Sequence, residues 1–220
     1  MQREQGDSPD AEIRAFLEAG DVDRAATEAI RRYGAEILGF LLALHHGDED
    51  GASDVFSTFC EQIWRGLSGF EWACSLRTWA YAIARNASHH HRRAERRWEQ
   101  RKAPLSGCVS EMAALVRTQT LTFLRTERQR EIVRLRQALS EQDQALLILR
   151  VDRDLPWLDL ARVFLGESSG GEAGLDGVEA RPSTAALQRE AARLRKRFQL
   201  IKRQLLQLGR ERGLIPEREA

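Results

Sequence analysis

Residues 70–93 read FEWACSLRTWAYAIARNASHHHRR. Two aromatic residues, Phe70 and Trp72, precede Ser75, whose hydroxyl suits the cap of a helix's first turn. Leu76, Trp79, Ile83 and Ala87 then recur at spacings of three and four, the stripe of an amphipathic helix. That helix runs out as a block of histidine and arginine. Exposed rings beside a cationic helix suit a surface that holds phosphates and stacks unpaired bases. Trp72 is the stacking candidate, because its turn has no helical stripe to bury it, whereas Trp79 lies on the stripe and is expected inside.

The same periodicity extends outward along the chain. Ile30, Tyr33, Ile37, Leu41 and Leu44 form one stripe; Phe56, Phe59, Ile63 and Leu67 form another. Turns are expected at His46-Gly47-Asp48 through Gly51 and at Ser68-Gly69 through Ala73. No segment alternates in the manner of a strand, so the expected class is all-α: two helical domains joined by a linker. Residues 1–22 are acidic and weakly periodic and are expected to fray, with the first domain at 23–102. Ala103-Pro104-Leu105-Ser106-Gly107 ends the long basic helix, since proline breaks the hydrogen-bond ladder, and opens a linker over 103–126. The second domain is placed at 127–215. Within it Ser140, with Asp143 three residues on, opens a helix through Leu146, Leu147 and Leu149. Asp154-Leu155-Pro156 starts a short helix that Gly166 stops. An inserted acidic, glycine-rich loop at 166–182 follows. Then comes the longest periodic run, Leu194, Phe198, Ile201, Leu205 and Leu208, with a basic opposite face.

A net charge of +1 over 220 residues conceals strong polarity. Residues 1–61 carry five basic against fourteen acidic side chains, net −9, and residues 181–212 carry ten basic against two acidic, net +8. A basic face that meets an anion, with the acidic end held off it or meeting another partner, fits this distribution. The three cysteines, Cys60, Cys74 and Cys108, have neither CxxC spacing nor an even count. A disulfide framework and a zinc knuckle are therefore not expected, and a reducing compartment fits. No run approaches the roughly 18 apolar residues of a membrane span, and the N-terminus lacks an apolar leader core, which points to a cytoplasmic protein. Adjacent histidines on a helix point about 100° apart, so His89-His90-His91 without a carboxylate or cysteine at ligand spacing is not read as a metal site. No phosphate-cradling glycine loop, nucleophile with a base partner or paired carboxylate stands out. Neither catalysis nor a cofactor is expected.

Several short motifs coincide. Asp54-Val55-Phe56 leads to Ile63-Trp64-Arg65-Gly66-Leu67; Cys74-Ser75-Leu76-Arg77-Thr78-Trp79 and Ile83-Ala84-Arg85-Asn86 follow. Together they resemble region 2 of bacterial sigma-70-type transcription initiation factors, especially the small two-domain extracytoplasmic-function group. There a helix begins with Asp and ends in Trp-Arg-Gly-Leu, and Ser-Ser-Phe-Arg-Thr-Trp and Ile-Ala-Arg-Asn come after it. The resemblance covers about residues 25–100.

What the resemblance implies is a non-enzymatic sigma factor. It would bind the clamp and flap of core RNA polymerase, recognise promoter DNA, melt the minus-ten element and begin transcription. Its clamp contacts would be Asp54, Ser57, Thr58, Glu61 and Arg65, although Ser57-Thr58 stands where the family commonly has Gln-Glu. Minus-ten contacts would come from Phe70, Trp72, Arg77, Arg85, Asn86, His89, Arg92, Arg93 and Arg96. Seven basic residues of this segment (Arg85, Arg92, Arg93, Arg96, Arg97, Arg101, Lys102) oppose Glu95 and Glu99, net +5. If about five met phosphates, the log–log salt slope of binding would be near −4 to −5.

Leu155 through Leu165 is similar to the first helix of the family's region 4 helix-turn-helix, and the basic run after Ser183 would be the second. In a recognition helix the N-terminal residues read base edges, so Thr184, Gln188, Arg189 and Arg193 are assigned to the minus-thirty-five element, with Arg195, Lys196 and Arg197 on phosphates. About seventeen residues separate these helices where three or four are usual, which leaves the register of the second open. An anti-sigma factor is a further partner the family admits. Two other readings are a helix-turn-helix DNA-binding regulator that never engages polymerase and a helical protein-binding adaptor. Neither explains the stretch from Asp54 to Asn86 together with two separate basic surfaces.

Overall fold

The computed structural model describes residues 10–99, 127–166 and 182–214. The first segment holds α1 (Ala11–Glu18), α2 (Val22–Leu44), α3 (Glu49–Gly66) and α4 (Leu76–Glu99), with one 3-10 turn at Leu67–Gly69. The others hold α5 (Glu127–Gln137), α6 (Glu141–Leu147), α7 (Trp157–Leu165) and α8 (Thr184–Glu211). No strand occurs among the described residues, in agreement with the all-α expectation. The linker at 103–126, including the Pro104 boundary, lies outside them, as does most of the acidic loop.

Side-chain caps start most of these helices. Asp21 accepts from the Arg24 amide, Asp48 from Gly51, Ser140 from Asp143 and Ser183 from Ala186. Ser75 accepts from the Thr78 amide at 3.1 Å, as its position before the α4 stripe suggests. Each such bond satisfies an otherwise orphaned helix donor and is worth about 1 kcal/mol. The Asp48 cap also explains Gly51, where an added Cβ would sit 2.5 Å from the Asp48 carboxylate. At the far end of α7, Gly166 follows Leu165 with φ −58°, an ordinary right-handed conformation, so the helix stops there without using glycine's special freedom.

The apolar stripes converge on one core. Phe40 of α2 meets Tyr81 of α4 edge-on at 5.4 Å between ring centroids. Leu41, Phe59, Ile63 and Leu76 are fully buried around them. Each such side chain contributes about 1.5–3 kcal/mol by leaving water. One expectation is corrected. Residues 10–22 do not fray: Ile13 of α1 is fully buried, Phe16 and Leu17 pack beside it, and Asp10 is enclosed as well. Their spacing is helical, but the segment is short and its acids mask the pattern. The two halves also pack against each other. Leu146, Leu149, Val163, Leu194 and Ile201 belong to the same buried cluster as the α2–α4 residues, and α7 lies between α4 and α8. Between α6 and α7 the helix widens into a π-type turn, in which the Arg153 amide donates to the Ile148 carbonyl at 3.0 Å.

Candidate nucleic-acid interface

The aromatic turn is built from three rings. Phe70 stacks on Trp79 at 4.8 Å and 29°, and tilts against Trp72 at 4.9 Å. All three are half-buried, so Phe70 and Trp72 are less exposed than the sequence suggested, and Trp79 is only partly inside. Trp72 has φ +56°, in the left-handed region that bulky residues seldom occupy. Its ring also lies beneath the Arg14 guanidinium of α1, 5.3 Å from carbon to centroid.

Along α4 the candidate residues divide into two groups. The first group is engaged within the protein. Arg77 forms a forked ion pair with Glu36 of α2, its Nε 3.0 and 3.2 Å from the two carboxylate oxygens, and donates to the Arg153 carbonyl at 3.0 Å. Tyr81 donates to the same Glu36 at 2.7 Å. Burial would raise the Glu36 pKa, but the hydrogen bonds from Arg77 and Tyr81 overcome it and hold the carboxyl below its usual range. Arg85 is buried, its guanidinium 3.8 Å from the centroid of the Phe164 ring on α7. The Asn86 amide donates to the Gly166 carbonyl at 3.3 Å. Arg92 donates to the Leu44 carbonyl at the end of α2 and faces Glu141 of α6 at 3.4 Å. A cation at a helix C-terminus is favoured by the axial dipole. In this arrangement of the chain Arg77, Arg85, Asn86 and Arg92, all assigned to the minus-ten element by the resemblance, are thus engaged by other parts of the protein.

The second group faces solvent. Arg93, Arg96 and Arg97 are exposed at the outer part of α4, with His89 half-buried and His90 exposed beside them. Arg96 stays near Glu141 at 3.9 Å, an exposed contact worth little. Further in, His45 accepts or donates a hydrogen bond with Ser88 at 2.9 Å in a buried setting. Its pKa falls to about 4, chiefly through burial and then through the charges of Arg92 and His91.

On α8, Thr184, Gln188, Arg189, Arg193, Arg195 and Lys196 are exposed. Arg193 pairs with Glu190 at 3.3 Å, and Arg195 lies over the Trp157 ring at 5.6 Å. Arg197 departs from the expected phosphate-facing set, because Asp143 and Gln142 of the α6 first turn bind it at 2.5 and 2.8 Å. The opposite side of α8 packs Leu187, Ala191, Leu194 and Ile201 inward. On α3, by contrast, Asp54, Ser57, Thr58, Glu61 and Arg65 all share the solvent face. Trp64 joins them at 50% exposure, while Phe56, Phe59 and Ile63 are core. An exposed tryptophan in a polar stripe marks a contact surface more than a folding requirement.

Glu36, Glu141, Phe164, Asp10 and Arg14, which organise this surface, were not legible as functional residues. Ile13, Phe16 and Leu17 offered the only signal for α1, an i, i+3, i+4 spacing inside an acidic segment. Among the described residues no group of three or more His, Cys, Asp or Glu side chains is arranged to hold a metal ion. None of the described helices is long and apolar enough to cross a membrane.

Comparison with known proteins gives these surfaces a context. No curated protein matches the chain. Residues 29–98, which run from α2 almost to the end of α4, match the family model described as Sigma-70 region 2. Residues 29–98 thus carry the sequence of a Sigma-70 region 2, the part of a sigma-70 factor that serves RNA polymerase in promoter recognition, and the match supports that family for the chain.

Proposed function

We propose that the chain is a two-domain sigma factor of the extracytoplasmic-function type, which docks on polymerase through α3 and opens the minus-ten element at the Phe70–Trp72 turn. The observation that carries this reading is the placement of that aromatic turn at one end of α4, with Arg93, Arg96 and Arg97 exposed toward the other. Removing a base from the duplex costs a few kcal/mol, and stacking on an aromatic ring returns about 1–3 kcal/mol. Cations along the backbone supply the remainder. The polar stripe of α3, centred on Glu61 and Trp64, meets the polymerase clamp. The α7–α8 pair acts as a region 4-like helix-turn-helix for the minus-thirty-five element and the flap, with Thr184, Gln188, Arg189 and Arg193 toward bases and Arg195 and Lys196 toward phosphates.

Because Phe164, Gly166 and Glu141 engage Arg85, Asn86 and Arg92, the C-terminal half must leave α4 before that whole face meets DNA. Polymerase holds the two DNA-binding units at a fixed separation, so each raises the effective concentration of the other. An anti-sigma factor would act on the same surfaces.

The reading is tested by mixing the full chain with core polymerase and templates of random sequence. Transcripts starting at defined positions downstream of a shared two-part motif are expected. Stable binding of the chain to DNA with no association to core polymerase would instead favour a helix-turn-helix regulator.

A further inference from the structure

Helix α1 lies outside residues 29–98, yet it is fixed against the aromatic turn. Ile13 is fully buried beneath it. Asp10, also buried, accepts a hydrogen bond from the Tyr33 hydroxyl at 2.5 Å and from the Leu76 amide at 3.4 Å. The second bond places a carboxylate at the N-terminus of α4, where the helix dipole favours negative charge. α1 is thereby registered to the first turn of α4, immediately after the turn that carries Trp72.

Arg14 is one helical turn beyond Asp10, and its amide donates to the Asp10 carbonyl at 3.0 Å. Its guanidinium covers the Trp72 ring and pairs with Glu18 at 3.3 Å, with both side chains more than half exposed. A solvent-exposed ion pair of this kind holds an arginine weakly. The Trp72 backbone, at φ +56°, is by contrast in a conformation that must be held by its surroundings. The ring position is thus set from several sides while the cation above it remains easy to move.

We propose that Arg14 is a positioning residue of the base-holding turn: it covers the Trp72 face in the free protein, yields that face to an unpaired nucleotide, and takes the nucleotide's phosphate. The inference rests on the reading of Trp72 as a base-stacking residue. A planar guanidinium over an indole occupies the position a stacked base would take. An exposed cation–π contact is worth about fivefold in binding at most, whereas base stacking on an aromatic ring is worth about fivefold to a hundredfold. The base therefore displaces the guanidinium. Arg14, still carried by the anchored α1, remains beside the strand, and a displaced guanidinium next to a phosphodiester forms a charge-assisted pair.

The test uses holoenzyme assembled from the full chain and core polymerase. The probe is a duplex with a short unpaired segment, selected by that holoenzyme from a pool randomised in the segment. Arg14→Gln is expected to weaken binding three- to tenfold at low salt and to make the log–log salt slope shallower by about 0.7, the share of one phosphate contact on a single strand. Arg14→Lys should keep the slope, and Trp72→Ala should weaken binding while leaving the slope nearly unchanged. If Arg14→Gln matches the parent in affinity and slope while Trp72→Ala weakens binding, the base-stacking reading survives and the role of Arg14 is overturned. Weakening by Arg14→Gln that follows a fall in unfolding temperature, with no change of slope, assigns Arg14 to packing and overturns the proposal too. Unchanged binding by Trp72→Ala overturns the base-stacking reading itself.

Discussion

Arg85 of α4 sits over the ring of Phe164 of α7, 3.8 Å from guanidinium carbon to ring centroid, and this contact joins the two halves of the chain at the face of α4. A cation–π pair shielded from water is worth about 2 kcal/mol, and the buried ring adds its own transfer energy. With Glu141 opposite Arg92, the same helix face is held by both a ring and a carboxylate. The double change Phe164→Leu with Glu141→Gln is expected to raise the affinity of the core-free chain for single-stranded DNA several-fold. Polymerase-bound affinity should change little. Fluorescence anisotropy with a labelled oligonucleotide, at two salt concentrations, measures both; equal affinity of parent and variant in the free state would show that the closed face does not restrict binding.

Glu36 anchors α4 to α2 through Arg77 and Tyr81. Replacing it by Gln leaves the Arg77 charge without its counterion and should cost about 2 kcal/mol of stability, the usual scale for a hydrogen bond to a charged group. Its folded-state pKa is held below the ordinary glutamate range, so the stabilisation is present above that range and is lost as pH falls through it toward the folded value. Urea unfolding at neutral and acidic pH should show the parent losing this increment on acidification and Glu36→Gln lacking it throughout.

His45 imposes a second acid dependence, at higher pH. Burial, then Arg92 and His91, lower its pKa to about 4, so between about 6.5 and 4 the unfolded chain binds a proton that the folded chain does not. Stability must fall as pH drops through that window and level off below it. His45→Gln, which retains a polar partner for Ser88, is expected to flatten the slope. Thermal unfolding at half-unit pH steps would reveal a slope that persists in the variant if some other group is responsible.

The α3 stripe can be altered without touching the core. Trp64 is half exposed and Glu61, among the described residues, is paired with Arg65 at 3.9 Å, so Trp64→Ala and Glu61→Lys should each leave the unfolding temperature within a few degrees of the parent. The proposal that this stripe meets the clamp predicts at least a tenfold loss of affinity for core polymerase in the double variant. Surface-immobilised core polymerase gives the measurement, and unchanged affinity would move the docking surface elsewhere.

Much of the helical architecture could be read from spacing alone, because apolar stripes at three and four, such as Ile37, Leu41 and Leu44 or Phe59 and Ile63, turned out to be buried faces. Ser75, Ser140 and Ser183 were likewise visible as starts, since a hydroxyl before a stripe has a local task. What the sequence did not disclose lies in pairs far apart along it. Arg77 with Glu36, Arg85 with Phe164 and Arg197 with Asp143 are separated by 41, 79 and 54 positions. A basic residue looks the same in sequence whether it meets a phosphate or a carboxylate of its own chain. The α1 helix was missed for a related reason: eight residues carry too short a pattern, and its fixation depends on Tyr33 and the Leu76 amide.

The most direct measurement is permanganate reactivity of unpaired thymines on a template that the holoenzyme transcribes, with Trp72→Ala compared against the parent. Reactive thymines should appear within the minus-ten segment for the parent, be absent with core polymerase alone, and fall at least tenfold for Trp72→Ala, while binding to core polymerase and helicity stay unchanged. Equal reactivity of parent and Trp72→Ala would contradict the assignment of strand opening to the aromatic turn at the head of α4.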